Sequence, residues 1–437
     1  MTPTAIAQIS RLALQDLSAP LVATITDVKQ LSSYNWIEAP SPTIAVPGTP
    51  PLWSAPSAPR QLKKDSGLVY IAQNAARHPD SPLEPLFRAL SITNPSFDIR
   101  STDVVTDRNN IRKLLSFINP SMTRNGLETF TINIEVTKNT AIFSRDETVT
   151  HEFIGPDEFK GYGHEFEKAY TTGQIGASTG HHRIITYRFG GLNFIVRHET
   201  DGYVDHTKMS SSDDKGPESD SLSSMLGSLS LSPTKGLQIT TPGSKLRIKE
   251  EGQMISLEST LELKTRVIHK RIEIREVAPQ LWISQTPKLV RAYHQRGTFQ
   301  VPEVEDVAAV IKTWEEDNQR DLRKLAALIS EIIDMVKGCG GNAIVKYDRL
   351  GDKLVIWKVN RRKMLPKDLY SMWDDRTNSE APSNSDTAAV EPVNGIESKP
   401  DGKSAVFRPR DTKGKHESAT NCEGSQPWKR DPVEVLN

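Results

Sequence analysis

The chain has 437 residues, and its 55 Lys and Arg side chains are balanced by 55 Asp and Glu side chains, so its net charge gives no general attraction to nucleic acid. Hydrophobic residues make up only 36% of the sequence, and the two cysteines, Cys339 and Cys422, are too few for a disulfide framework or a thiolate metal site. Since no apolar run approaches the roughly 18 residues of a membrane span, we expect a soluble nuclear or cytoplasmic protein with no membrane partner.

The first 60 residues are rich in proline and are predicted to be irregular, apart from a short helix over residues 5–17. Prolines are densest in residues 39–60, where missing N–H groups disfavour a regular element, so this stretch should run over a surface as extended chain. We expect one ordered domain over residues 61–372.

Apolar side chains in residues 68–198 follow the spacings of strands and helices in turn. Residues 130–136 alternate apolar and polar side chains, which predicts a strand that turns back at Lys138. The predicted elements in chain order are a strand or the start of a helix at 68–72, helices at 83–90 and 107–118, a hairpin at 130–143, a helix at 161–170 and paired strands at 181–190 and 192–198.

The composition changes after residue 205. Residues 206–250 are rich in Ser, Gly, Asp and Lys, which predicts a disordered insert. Strand character resumes over 257–276, followed by a helical stretch at 304–337 and a closing hairpin at 343–359. Residues 374–437 have few large apolar side chains and are predicted to form a disordered tail.

Two short acidic motifs in the sequence predict an active site. Glu199 and Asp201 follow an apolar strand, and Glu262 and Lys264 lie on a second strand. Residues two apart share a strand face, so we expect all four side chains in one cleft of one mixed sheet, flanked by helices at 107–118 and 304–337. Converging carboxylates repel one another unless a cation lies between them, and hard oxygen ligands suit Mg²⁺ or Mn²⁺.

Taken alone, Glu-Leu-Lys is most often an exposed, solvated strand face, and only the order of several phrases favours a site. The residues from Lys264 to Arg296 include eight Lys or Arg and two Glu. We predict that this basic run follows the phosphates of a nucleic acid. His181, His182 and His198 are expected to be structural.

Five phrases together resemble the eukaryotic decapping and exoribonuclease family. They are an Arg before a Leu-Leu helix, then Gly-x-x-Phe-Glu, Glu-x-Asp, Glu-x-Lys-Thr and Trp-x-x-Gln. In this sequence they appear as Arg108 before Leu114-Leu115, Gly163-His-Glu-Phe166-Glu167, Glu199-Thr-Asp201, Glu262-Leu-Lys264-Thr265 and Trp282-Ile-Ser-Gln285.

The resemblance implies an α+β fold with a PD-(D/E)xK-like nuclease core and metal-dependent hydrolysis of RNA 5′ ends by decapping, pyrophosphohydrolase or 5′–3′ exoribonuclease activity. It implies an RNA 5′ end and a 5′–3′ exoribonuclease as partners. The implied metal ligands are Glu167, Glu199, Asp201 and Glu262, with Lys264 holding the attacking water and Arg108 and Gln285 binding phosphates. The family's sixth motif, Gly-apolar-Arg, is replaced by Ala292-Tyr293-His294, and Arg291 or Arg296 is the candidate substitute.

Two alternatives remain open at this stage. A module of the same fold that binds RNA or protein without catalysis is favoured by the altered sixth motif and opposed by the intact carboxylates. A prenyl transferase would need aspartate-rich motifs on helices, and the sequence contains no Asp-Asp-x-x-Asp pair.

Overall fold

Strands dominate the structure, a computed structural model that describes residues 4–123, 126–205, 238–240 and 243–375. In chain order they are β1 (Thr4–Ser10), β2 (Thr26–Ile37), β3 (Thr43–Gly48), β4 (Leu52–Trp53), β5 (Arg60–Gln61), β6 (Gly67–Tyr70), β7 (Val104–Asp107), β8 (Thr131–Thr137), β9 (Thr140–Asp146), β10 (His151–Ile154), β11 (Thr171–Thr172), β12 (Ser178–Phe189), β13 (Leu192–Glu199), β14 (Gly202–Tyr203), β15 (Gln238–Thr240), β16 (Arg247–Gly252), β17 (Thr260–Val267), β18 (Lys288–Gln295), β19 (Thr298–Phe299), β20 (Val304–Asp306), β21 (Asn342–Asp348) and β22 (Lys353–Lys358).

The helices lie between these strands. They are α1 (Gln73–Arg77), α2 (Glu84–Thr93), α3 (Arg108–Ile118), α4 (Gly163–Tyr170), α5 (Ile274–Ser284), α6 (Ala308–Asp317) and α7 (Gln319–Gly338), with short 3-10 helices at Leu12–Gln15, Ile99–Ser101, Pro120–Met122, Leu257–Ser259 and Lys367–Trp373. In the part of the chain that the structure describes, no helix combines the length and apolarity needed to cross a membrane.

The described strands form two large mixed sheets and one small antiparallel sheet of two strands. The larger sheet has the order β1-β22-β21-β8-β9-β7-β13-β12-β2-β3-β16-β15. The second sheet has the order β11-β4-β14-β17-β18-β19-β5, with β20 paired to β18, and β6 pairs only with β10. The predicted α+β class with mixed sheets flanked by helices is confirmed.

Both faces of the larger sheet are buried, which explains its near-continuous apolar strands. On β13, Val196 packs with α3, α5 and α7 in one apolar layer, while its neighbour Ile195 packs with α2 and the last 3-10 helix in another. A third layer lies under the second sheet, where Phe166 of α4 contacts β17 through Leu261 and Leu263. The candidate residues are held between these layers.

The prediction that the first 60 residues are irregular is wrong. Residues 5–17 contain β1 and a 3-10 turn, and β2 and β3 lie inside the larger sheet. Proline density misled the prediction because most of the prolines flank β3, and Pro47 lies beyond the part of β3 that pairs with β2.

The predicted insert is also shorter at its C-terminal end than the composition indicated. Residues 238–240 and Arg247–Gly252 are strands, and β16 pairs in parallel with β3. Residues 206–237 and 241–242 of the predicted insert, and 376–437 of the predicted tail, lie outside the described residues.

Candidate active site

Two parallel strands bring Arg108 and Glu199 to the same edge of the larger sheet. β7 and β13 pair with Asp107 opposite Arg197, and the buried Arg197 guanidinium donates to both Asp107 carboxylate oxygens, at 2.7 and 3.0 Å. The chain leaves β7 at Arg108, the first residue of α3, and leaves β13 after Glu199. The buried ion pair therefore fixes the place where both candidate side chains emerge.

The chain then crosses from the larger sheet to the second sheet within two residues, because β14 pairs with β17. Asp201 lies in this crossing, and its Oδ2 accepts a hydrogen bond of 2.7 Å from the backbone N–H of Leu263. The expectation of a single sheet is therefore wrong, since Glu199 ends a strand of one sheet while Glu262 and Lys264 belong to the other. Alternation shows which residues share a strand face, but it does not show which strands pair.

Glu262 is the most enclosed of the candidate residues, with 2% of its surface exposed. Lys264 Nζ donates to its Oε1 at 2.7 Å, and Arg108 Nη1 donates to its Oε2 at 3.1 Å. Burial alone would raise the pKa of this carboxyl, but the charges of Lys264 and then Arg108 outweigh burial and lower the pKa to about 2. Glu262 is thus a permanent anion that orients two cations.

The remaining carboxylates have the opposite electrostatic character. Burial and the negative charge of Glu262 raise the pKa of Asp201 to about 8. Burial and the charges of Asp201 and Glu199 raise the pKa of Glu167 well above its ordinary value. Glu199 is itself exposed to solvent, and Asp201 and Glu167 are partly exposed, so solvent reaches all three. We call the region around Glu167, Glu199, Asp201 and Glu262 the carboxylate cleft. The charges of these carboxylates act on one another, so the fold brings the four predicted acidic residues near one another.

The donor set fits a divalent cation in its chemistry. Four carboxylates supply hard oxygen ligands, and a cation would relieve the repulsion that raises two of their pKa values. However, no three Asp, Glu, His or Cys side chains of the described residues already stand in a metal-binding arrangement. Both oxygens of Glu262 are occupied by Arg108 and Lys264, so metal binding requires these contacts to rearrange.

The structure places Gln280, rather than the predicted Gln285, at the site. Gln280 Nε2 of α5 donates to Glu262 Oε1, whereas Gln285 ends the helix with φ +53° and donates to the Trp282 carbonyl. The prediction missed α5 because it assigned residues 257–276 to strand. The capping box formed by Glu273 and Glu276 is the sequence signal that marks the start of this helix.

The two arginines proposed for the sixth motif have other roles in the structure. Arg291 forms an ion pair with Glu305 and donates to the Ile272 carbonyl at 3.0 Å. Arg296 is exposed in the turn between β18 and β19, with φ +51°. The ring of His294, in the altered motif, packs against the ring of Tyr162, with 4.7 Å between the ring centroids.

The buried histidines are neutral structural groups, as the sequence predicted. His181 Nδ1 is 2.8 Å from Asn35 Oδ1, and His182 Nε2 is 2.9 Å from Gln73 Oε1. Burial and nearby arginine charges lower the pKa of both rings well below 6.5. They carry no charge near neutral pH.

A cavity of about 140 Å³ adjoins Glu199 and was not foreseen from the sequence. We call it the arginine cavity because Arg108, Arg112, Arg145 and Arg197 contribute to its lining. Its other lining residues include His182, Asp107 and residues 70–75. Arg108 and Glu199 thus belong both to this cavity and to the carboxylate cleft.

Comparison with known proteins gives a family and a fold. A family model described as "Domain of unknown function (DUF8563)" matches residues 5–373. No curated protein sequence matches the chain significantly.

Three solved structures show the fold. Candida albicans Rai1 in complex with pU5-Mn2+ has 11% sequence identity and a TM-score of 0.52, with 85% of this chain and 99% of that chain covered. Scheffersomyces stipitis Rai1 in complex with (3'-NADP)+ and calcium ion has 12% identity and a TM-score of 0.52, covering 85% and 97%. An S. pombe Rai1 mutant in complex with 3'-FADP has 12% identity and a TM-score of 0.50, covering 81% and 99%. At these identities the likeness confirms the fold that the decapping and exoribonuclease resemblance predicted.

Proposed function

This chain belongs to the DUF8563 family, and from its carboxylate cleft we propose that it is a divalent-metal-dependent hydrolase of RNA 5′ ends. The observation that carries the proposal is the meeting of Glu167, Glu199, Asp201 and Glu262 beside Lys264. Carboxylates brought together at an electrostatic cost indicate a function, because a purely structural cleft gains nothing from their repulsion.

The metal would be held by Glu167, Glu199, Asp201 and Glu262, and Mg²⁺ or Mn²⁺ suits these ligands. When bound, it would lower the pKa of its water and offset the negative charge that develops on the phosphate. Hydrolysis would join the oxygen of a water to phosphorus and break the bond from phosphorus to the leaving oxygen, and the proton lost by the water would pass to the leaving oxygen or to solvent.

The chain's own cations orient the reactants. Lys264 uses one N–H to contact Glu262 and keeps two for the attacking water and a phosphate oxygen. Arg108 is anchored by Glu262 and presents its remaining N–H groups to the phosphate. Gln280 holds Glu262 from the side of α5, so loss of Gln280 would weaken the orientation of both cations.

The choice of RNA as substrate rests on the fold and on local charge. One of the matched structures is a Rai1 with pU5-Mn2+, which indicates a polynucleotide and a divalent ion for this fold. Arg108 and the basic run from Lys264 to Arg296 provide cations next to the carboxylates. By the same resemblance we propose a 5′–3′ exoribonuclease partner and a nuclear or cytoplasmic location.

The test is metal-dependent release of product from 5′-labelled RNA. We expect Asp201→Asn and Glu262→Gln to abolish hydrolysis in Mg²⁺, while RNA binding by Asp201→Asn, measured in Ca²⁺ or without metal, stays within about twofold of wild type. Each substitution keeps the side-chain size and removes one negative ligand. If the variants hydrolyse RNA as fast as wild type, the proposed site is wrong.

A second candidate is an RNA-binding module without catalysis. It is favoured by the engagement of both Glu262 oxygens with Arg108 and Lys264 and by the lack of a preformed metal arrangement in the described residues. Wild-type protein that binds RNA but hydrolyses no 5′ end in Mg²⁺ or Mn²⁺ would establish this alternative.

A further inference from the structure

The arginine cavity carries more positive charge than its own carboxylates neutralise. Arg108, Arg112, Arg145 and Arg197 line it, whereas Asp107 and Glu199 are its only acidic lining residues in the described part of the chain. Guanidinium groups in the wall of a cavity attract anions, because the low-dielectric walls focus the field.

Three of these arginines have carboxylate partners. Arg197 is paired with Asp107, and Arg108 with Glu262. Arg145 Nε donates to Glu147 Oε1 at 2.6 Å, and Lys113 contacts the same carboxylate. Glu147 therefore balances two cations with one negative charge.

Arg112 has no carboxylate partner among the described residues. Its only hydrogen bond there is a long one of 3.4 Å to the neutral Gln280 Oε1. The surrounding protein and the positive charge of Arg108 lower the pKa of Arg112 to about 10; the negative charge of Glu262 opposes this shift, and the positive charge of Arg145 adds to it. The side chain is nevertheless open to solvent, so an anion can reach it through the cavity.

The size of the cavity limits the kind of anion. A water molecule occupies about 30 Å³ in the liquid, so 140 Å³ corresponds to roughly four or five waters. Pockets for drug-sized ligands measure about 300–1,000 Å³, so a nucleobase with its ribose is too large. One or two phosphate groups fit, and guanidinium forks bind phosphate oxygens through paired hydrogen bonds.

We propose that the arginine cavity binds the terminal phosphates of the RNA 5′ end, and that Arg112 is the residue that distinguishes phosphorylated from hydroxyl ends. The inference rests on the proposed function, since Arg108 and Glu199 are shared by the cavity and the carboxylate cleft. A chain of phosphates that enters the cavity would leave the adjoining phosphodiester facing the carboxylates.

The first experiment compares 5′-triphosphate, 5′-monophosphate and 5′-hydroxyl forms of one RNA under the same Mg²⁺ concentration. We expect Arg112→Ala to lower kcat/KM tenfold or more on the triphosphate RNA and less than twofold on the hydroxyl RNA. Arg112→Lys should recover part of the lost kcat/KM, because lysine restores the positive charge but not the paired hydrogen bonds that a guanidinium makes. Arg188→Ala is the matched control, since Arg188 is exposed on β12 and lines neither the cavity nor the cleft.

Two outcomes of this experiment would overturn the inference. An equal loss on all three RNAs would mean that Arg112 supports the fold or the RNA body rather than the end. No loss on the triphosphate RNA would mean that the cavity does not hold the terminal phosphates.

The second experiment separates the inference from the proposed function, because it needs no catalysis. Binding of inorganic pyrophosphate is measured by calorimetry in EDTA, with wild type, Arg112→Ala and Arg188→Ala. We expect wild type and Arg188→Ala to bind alike and Arg112→Ala to bind at least tenfold more weakly. Wild type that binds pyrophosphate no better than Arg112→Ala would refute the cavity as an anion site, whether or not the protein hydrolyses RNA.

Discussion

Replacing Glu262 by Gln should destabilise the metal-free protein as well as stop hydrolysis. The pKa of Glu262 is held at about 2, against an ordinary value of 4.5, by Lys264 and Arg108 working against burial. This difference corresponds to about 3 kcal/mol of net favourable interaction with the ionised form. Glu262→Gln removes the charge, keeps the shape and leaves two cations without their counterion, so we expect the free energy of unfolding to fall by about 2–3 kcal/mol at pH 7.

Glu199→Gln is the matched control, because it makes the same chemical change on a carboxylate that is exposed and has no ion pair within the described residues. We expect its free energy of unfolding to stay within about 0.5 kcal/mol of wild type. The measurement is urea denaturation in EDTA, with equal m-values required for all three proteins.

The contribution of Glu262 to the free energy of unfolding should depend on pH. Because the folded-state pKa of Glu262 lies below its unfolded value, its contribution is fully present above pH 4.5 and is lost as the pH falls through about 2. The gap between wild type and Glu262→Gln should therefore shrink in this acidic range. If Glu262→Gln proves as stable as Glu199→Gln at pH 7, the account of Glu262 as the anchor of the site is refuted.

Three further predictions follow from contacts described above. Gln280→Ala should lower kcat about tenfold, because it removes one buried hydrogen bond to a charged group. Gln285→Ala is the control and should leave kcat within twofold of wild type. Equal effects of the two substitutions would contradict the assignment of Gln280 to the site. Because His182 stays neutral in the folded protein, the free energy of unfolding of wild type should fall by up to about 1.4 kcal/mol per pH unit below pH 6.5, where the unfolded chain binds a proton at this position. His182→Gln removes this proton uptake, so its free energy of unfolding in urea melts should fall less than that of wild type between pH 7 and 5.5. Trp373→Ala should lower the free energy of unfolding by about 3–5 kcal/mol, because the ring is buried and its N–H donates to the Thr140 hydroxyl of β9. Phe153→Ala is the control: this ring is 72% exposed, so the free energy of unfolding should fall by less than about 1 kcal/mol in the same assay.

The sequence predicted the acidic residues of the site better than their surroundings. Glu262 and Lys264 share a strand face as their spacing requires, and the contact between them follows from local geometry alone. Asp201 was placed correctly near them, but for the wrong reason. It lies in a crossing between two sheets, and its position depends on the pairing of β14 with β17, which is separated from it by the long insert.

The residues proposed for phosphate binding were harder to predict, because their contacts depend on partners distant in sequence. Arg291 looked available in the sequence, but the folded chain supplies Glu305 on a neighbouring strand. Arg112 looked like one more cation on an exposed helix face. Only the fold shows that Arg112 lies near Arg108 and Arg145 and that, among the described residues, it forms no ion pair of its own. Charge balance in a cavity is a property of the tertiary structure, and residue spacing alone does not contain it.

The pairing of β1 with β22 has a consequence for the synthesis of the protein. Arg11, just after β1, contacts Asp352, just before β22, across 341 positions of sequence. β1 therefore leaves the ribosome well before β22 and cannot pair with it until nearly the whole described chain has been synthesised. Contacts so distant in sequence make folding slow and leave a strand edge unpaired meanwhile, so the nascent chain should depend on chaperones until β22 has emerged.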